Sequence, residues 1–171
     1  VLDQKKVSDV LFGKTILITG AAGSIGVEIA KQVLSFWPSK VLYLDQGETP
    51  LFHLERDLNA LETYKGIEKQ YLVADICQAS TLKQIFTQHN IHVVFHAAAY
   101  KHVPLMEGNP AQALYTNTWG SAQLAEMALE FGVERFVQVS TDKAVNPTNV
   151  MGASKRAAER YIQSLSALGK T

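Results

Sequence analysis

One cysteine, five prolines and no apolar run long enough to cross a membrane set the first limits on this 171-residue chain. Cys77 alone can close no internal disulfide and has no second thiol for a CxxC or zinc set, which fits a reducing cytoplasm and a buried spectator role. The longest apolar stretches, such as Ile91 to Tyr100, fall short of the ~20 residues a membrane helix needs, and no signal peptide precedes them. An excess of either charge is also missing. Lys+Arg and Asp+Glu number 16 each, so the basic footprint of nucleic-acid binding is absent and no nucleic-acid partner is expected.

What is present is the composition of a folded domain. Hydrophobic residues make up 47% and charged residues 19%, which disfavours disorder, and the length matches one domain on the usual scale of ~100–200 residues. The chain begins at Val1 rather than methionine and stops at Gly169-Lys170-Thr171 directly after a helical pattern, the expectation for a fragment trimmed at both ends.

Short apolar, β-branched runs alternate with longer amphipathic stretches throughout, with no internal repeat or linker. That is the pattern of a parallel sheet wrapped by helices. Strands are predicted at Thr15–Thr19, Lys40–Leu44, Tyr71–Ala74, His92–Ala97 and Arg135–Ser140, nearly continuous in Val, Ile, Leu and Phe as strands buried on both faces should be. Helices are predicted at Ser24–Phe36, Thr49–Tyr64, Ser80–Gln88, Ala111–Phe131 and Met151–Leu168. Asn109 should cap the fourth helix by accepting from free N–H groups, with Pro110 in its first turn and Gly132 closing it in a left-handed conformation. Right-handed crossovers then give an α/β, Rossmann-like doubly wound sheet in the order 3-2-1-4-5, with any later strands beyond Thr171. Trp119 and Met127 read as helix-face packing.

The first strand runs into Thr19-Gly20-Ala21-Ala22-Gly23-Ser24-Ile25-Gly26, a G-x-x-G-x-x-G turn that opens a helix. Gly20 allows the tight turn, Gly23 lets the backbone approach a diphosphate, Gly26 lets helix and strand pack closely, and the helix N-terminus at Ser24 and Ile25 attracts the anion. The second strand ends in Asp45, placed to bond the adenosine ribose hydroxyls. Its carboxylate would repel a 2′-phosphate and no arginine follows in Gln46-Gly47-Glu48, so NAD is favoured over NADP; a solvent-facing strand-end carboxylate is the bland alternative. Asp75-Ile76 closes the third strand where an adenine edge would lie. Ala97-Ala98-Ala99 closes the fourth with side chains small enough to leave room for a cofactor, or simply for helix–sheet packing.

After the fifth strand come Ser140-Thr141-Asp142-Lys143 and then Asn149-Val150-Met151-Gly152-Ala153-Ser154-Lys155. Together with TGAAGSIG at Thr19–Gly26, DQGE at Asp45–Glu48 and HAAAYKHVPLME at His96–Glu107, these motifs resemble the polysaccharide-biosynthesis dehydratases of the extended short-chain dehydrogenase/reductase superfamily. The resemblance covers Val7 onward and is nearest to the long, membrane-anchored UDP-N-acetylglucosamine 4,6-dehydratases of bacterial capsule, lipopolysaccharide and glycan synthesis. Most of the superfamily carries Tyr-x-x-x-Lys on the last helix. Here Met151 has no ionisable proton and cannot serve as that base, and the same methionine is typical of the long subgroup.

The resemblance implies a lyase that uses NAD as a regenerated oxidant on a UDP-linked sugar. Lys143 would be the base at carbon 5 and Asp142 the acid for the carbon 6 hydroxyl, which near neutral pH asks for a raised Asp142 pKa and a lowered Lys143 pKa. Thr141 would polarise the carbon 4 hydroxyl; the base at carbon 4 is left open. Lys155, one turn after Met151, would hold the nicotinamide ribose. Ser140 corresponds to the superfamily serine, Asn117 to its structural asparagine beside the cofactor, and Tyr100, Lys101 and His102 border the substrate. The resemblance further implies a cytoplasmic domain, a homo-oligomer and a membrane anchor in the missing N-terminal region. A nucleotide-sugar epimerase would want tyrosine at position 151, and a non-catalytic NAD-binding module stands as the other alternative. His92, His96 and His102 fit no zinc spacing, and hydride chemistry needs no metal.

Overall fold

Alternating side chains of the central strands enter two different cores, which is why those strands are apolar on both faces. In the computed structural model, which describes residues 3–167, β1 (Thr15–Thr19) and β2 (Lys40–Asp45) are almost wholly buried. Ile16, Ile18, Val41 and Tyr43 pack under α2 (Ser24–Leu34) and α3 (Glu48–Asn59), with Leu11 of α1 (Gln4–Leu11) joining them. Leu17, Leu42, Leu44 and Val94 pack on the opposite face against α4 (Ala79–Gln88) and α7 (Ser121–Glu130). The period of two thus converts a continuous apolar run into two layers.

The sheet is all parallel, in the order β3-β2-β1-β4-β5, with β3 at Glu68–Val73, β4 at Val93–His96 and β5 at Arg135–Gln138. Thr19 pairs with Leu44 on one side and His96 on the other. The carboxyl ends of the three inner strands therefore lie level, and the chain reverses its winding direction between β1 and β4. In such sheets ligands sit outside that reversal.

The predicted fold holds, and the differences lie mostly at element ends. β3 starts three residues before the predicted Tyr71, because Glu68, Lys69 and Gln70 occupy an edge strand that tolerates polar side chains; Glu68 is paired with Lys40 at 2.8 Å. Three short elements carry no long period and went unpredicted: α1, α5 (Val103–Glu107) and a 3₁₀ turn at Asp142–Ala144. Leu168 lies outside the described residues; the last helix, α8, spans Val150–Ala167.

The long helix predicted over 111–131 is three pieces: α6 (Pro110–Ala113), a π segment at Leu114–Gly120, and α7. Asn109 stands at the N-cap of α6, but its amide donates back to the Leu105 carbonyl instead of accepting from the helix. Gly132 does end α7 with φ +71°. Trp119 is exposed on the outer side of the π segment, whereas Met127 packs in the second core. Among the described residues, no helix is long and apolar enough to cross a membrane.

Candidate functional site

Backbone proximity, more than any side chain, shapes the glycine loop. Gly20 has φ +66°, and a Cβ there would lie 2.5 Å from the Ala98 nitrogen; one on Gly26 would lie 2.0 Å from the Gly20 carbonyl oxygen. The loop is therefore pressed between its own helix and the end of β4, and only glycine fits. Gly23 is the N-cap of α2 and no side chain caps this end, which leaves first-turn N–H groups for an anion.

Asp45 is not a free surface carboxylate. It is half-buried, and its two oxygens accept from Ala22 N at 3.0 Å and Gly47 N at 2.9 Å, so it braces the glycine loop while facing the same cleft. Asp75 accepts from Cys77 N at 2.8 Å and also borders that cleft, with buried Ile76 beside it. Cys77 itself is a thiol held far from ionisation, pushed up to about 12 by burial and then by the Asp75 charge, in keeping with a spectator role.

The cleft between the glycine loop, Asp45 and Ala97–Tyr100 measures about 260 Å³. A second cavity of about 270 Å³ follows, bordered by Ile25, Thr141, Lys143, Met151 and Lys155. Ala97, Ala99 and Tyr100 line both, so the two form one run along the carboxyl end of the sheet. Lys101 spans this junction, its ammonium donating to Ser24 Oγ at 2.8 Å.

The walls of the second cavity are fixed by hydrogen bonds that sequence reading did not foresee. Buried Asn117, inside the π segment, accepts from Tyr100 N at 2.8 Å and donates to Tyr100 O at 2.9 Å and Ser154 Oγ at 3.0 Å. Its side-chain amide is engaged within the protein, and it borders neither cavity. Thr118 donates to the Ser154 carbonyl at 2.9 Å. The π segment sets Asn117 and Thr118 against the loop and α8, and leads into Ser121, the first residue of α7, which meets His96, a use of extra helical turn residues seen at many sites. Glu107, the last residue of the HAAAYKHVPLME motif, accepts from Val150 N at 2.7 Å and so caps α8.

Lys155 is buried, donates to the Val139 carbonyl at 2.7 Å, and has a pKa lowered by burial, an effect partly offset by Glu159. Ser140, by contrast, gives its hydroxyl to Glu159. Thr141 is the neighbouring hydroxyl that accompanies the ionisable pair, donating to Asp142 at 3.0 Å.

Asp142 and Lys143 form a contact at 3.4 Å, with Asp142 87% exposed. The Asp142 pKa lies below its usual value, first through the Thr141 hydroxyl and then through Lys143. The carboxylate is solvated here; the upward shift expected from the sequence belongs to the turn beneath a bound sugar nucleotide, where desolvation would act. His102 is exposed at the N-cap of α5 and borders neither cavity.

Residues 16–171 match the polysaccharide biosynthesis protein family. This chain belongs to it. The capsular polysaccharide biosynthesis protein CapD of Staphylococcus aureus is 47% identical over 165 residues, 96% of this chain and 27% of that protein. A UDP-N-acetylglucosamine 4,6-dehydratase (inverting) of Campylobacter jejuni is 34% identical over 151 residues, 88% of this chain and 43% of that protein. Among solved structures, Pen from Bacillus thuringiensis superposes with a TM-score of 0.85 at 32% identity, covering 95% of this chain and 50% of that one. The chain thus spans half or less of each of these three proteins.

This polysaccharide biosynthesis protein keeps one further buried network at its centre. His96 is fully buried and sits between Thr19 Oγ1 and Ser121 Oγ, each at 2.7 Å. Because Ser121 donates its own proton to the Asn117 carbonyl, Nε2 of His96 carries the ring proton and Nδ1 accepts from Thr19. Burial, then the nearby Lys155 charge, pushes the imidazole down to about 3. His96 therefore stays neutral and ties the strand before the glycine loop to the start of α7. No group of His, Cys, Asp and Glu among the described residues could hold a metal ion.

Proposed function

We propose that this chain is the NAD-binding portion of a nucleotide-sugar 4,6-dehydratase acting on a UDP-linked N-acetylhexosamine in surface polysaccharide or glycan synthesis. One observation carries the reading. The cavity that holds Thr141, Lys143 and Lys155 is continuous, through Ala97, Ala99 and Tyr100, with the cleft of the glycine loop. A dinucleotide lying along that run would bring its reactive ring to the turn after β5.

The residues fit such a cofactor. Gly20 and Gly26 leave a backbone cradle that any Cβ would fill, the uncapped α2 N-terminus suits a diphosphate, and Lys101, beside Ser24, adds a cation there. Asp45, already oriented by two N–H groups, keeps lone pairs for a ribose diol and disfavours a 2′-phosphate. Lys155 would hold the second ribose. When bound, NAD would accept hydride from carbon 4 of the sugar and return it to carbon 6.

The chain's own groups would do the rest. Thr141 orients the carbon 4 hydroxyl, Lys143 takes the proton from carbon 5, and Asp142 protonates the departing carbon 6 hydroxyl. Sugar bound over the exposed turn would desolvate both ions, raising Asp142 and lowering Lys143 toward the states the elimination needs. The name of the Campylobacter dehydratase supports the substrate class, and that of CapD supports a place in polysaccharide synthesis. Met151, with no proton to exchange, weighs against an epimerase. The region that grips the sugar nucleotide, a membrane anchor and a homo-oligomeric assembly belong to this proposal for the full-length protein.

The test is product analysis of full-length protein with UDP-N-acetylglucosamine and NAD. A 4-keto-6-deoxy sugar with no net NADH is expected. Steady NADH accumulation with carbon 6 unchanged would make the protein a dehydrogenase, and a 4-epimer would make it an epimerase.

A further inference from the structure

Oxidising a secondary alcohol requires a group to take the hydroxyl proton as the carbon-bound hydrogen departs, and position 151 offers none. The side chains around the second cavity can be sorted by their existing partners. Lys155 donates to the Val139 carbonyl, Lys101 to Ser24, Ser140 to Glu159, and Thr141 to Asp142, while Lys143 is paired with Asp142. Lys155 and Lys101 are each held by an oxygen partner, Lys143 is already assigned to carbon 5, and the aliphatic hydroxyls are too weakly acidic to exist as bases near neutral pH.

Tyr100 is different. It is half-buried, borders both cavities, and packs its ring on the small buried cluster of Met106, Ala113 and Met151. Its backbone is held at both N and O by Asn117, yet its hydroxyl has no partner among the described residues. A phenol is the one uncommitted ionisable group here, and it lies against the methionine on α8.

We infer that Tyr100, from the loop after β4, is the catalytic residue that accepts the carbon 4 hydroxyl proton of the sugar. The inference rests on the dehydratase reading. The O–H bond at carbon 4 breaks, its electron pair becomes the second bond of the carbonyl, and its proton passes to the Tyr100 phenolate. The carbon-bound hydrogen leaves with two electrons to the oxidised nicotinamide dinucleotide. Because the carbon 4 carbonyl persists in the product, Tyr100 returns that proton to solvent, which balances the proton Asp142 gives to the departing water. Asn117 is then a positioning residue that holds the Tyr100 backbone.

The experiment compares full-length wild-type protein with Tyr100→Phe, using UDP-N-acetylglucosamine with and without deuterium at carbon 4, alongside calorimetric titration with NAD. The variant is expected to bind NAD within about twofold of wild type, to lose roughly 10²-fold or more in kcat, and to show a larger carbon 4 deuterium effect. An unchanged kcat, a loss with no growth of that isotope effect, or a collapse of NAD affinity would each overturn the role. If wild type itself binds NAD but forms no keto product, the dehydratase reading falls and takes this inference with it.

Discussion

The glycine loop and the turn after β5 lie at the same end of one sheet, yet they are built on opposite principles. Around Gly20–Gly26 the backbone is pressed against β4, Asp45 is braced by two N–H groups, and His96 locks the strand end from beneath. Around Asp142 and Lys143 a short 3₁₀ turn carries two ions into solvent, paired chiefly with each other. A diphosphate and a ribose present the same shape at every turnover, so their half can be rigid before binding. The ions that would serve elimination need a low-dielectric cover to reach their working protonation states, and bound ligand would supply one.

If that contrast is right, substitutions in the two halves separate chemistry from cofactor affinity. The largest effect belongs to Lys143→Ala, expected to lower kcat by roughly 10²–10⁴-fold with the NAD dissociation constant little changed. Steady-state rates and calorimetry on the same preparation check this, and a large affinity loss would erase the division.

Next comes Gly152→Ala. A Cβ at Gly152 would lie 2.3 Å from the Lys143 carbonyl oxygen, so the turn must shift off α8, and a displacement near 1 Å can cost roughly 10²-fold in rate. NAD affinity should again be spared. A smaller effect, on affinity rather than rate, is expected of Asp45→Ala: about tenfold weaker NAD binding, from the loss of charge-assisted hydrogen bonds, and a narrowed preference over NADP, both read by titration.

The smallest effect concerns stability. The His96 pKa is about 3 in the fold against 6.5 unperturbed, so between those values the unfolded chain binds more protons. The contribution is fully present above about pH 6.5 and is lost as pH falls toward 3, on the order of 1 kcal/mol per pH unit. Chemical denaturation at pH 7.5 and 5 should show this slope in wild type and a shallower one in His96→Gln.

Most of the cofactor half was legible before any coordinates. Its residues follow one another along β1 and α2, and the steric reasons for Gly20 and Gly26 are local to a strand–turn–helix unit. Asp45 was identified as an acid, although not as a brace for the loop, because the Ala22–Asp45 bond joins residues 23 apart. The other half was legible only as motifs. Glu107 reading α8, Asn117 gripping Tyr100, and Ser140 turning to Glu159 each depend on elements brought together by the sheet order. The π segment was hidden because its apolar spacing passes for ordinary helix over so few residues.

Hydrophobic period and glycine spacing, both short-range properties, determined by themselves the run of strands and helices, the two-layered core and the tight turn that opens α2. Only the tertiary structure decided which polar side chains are free. Partnership depends on what packs across the sheet end, so it was folding that engaged Ser140, Lys155 and Asn117 and packed Tyr100, its hydroxyl uncommitted, on the cluster that includes Met151.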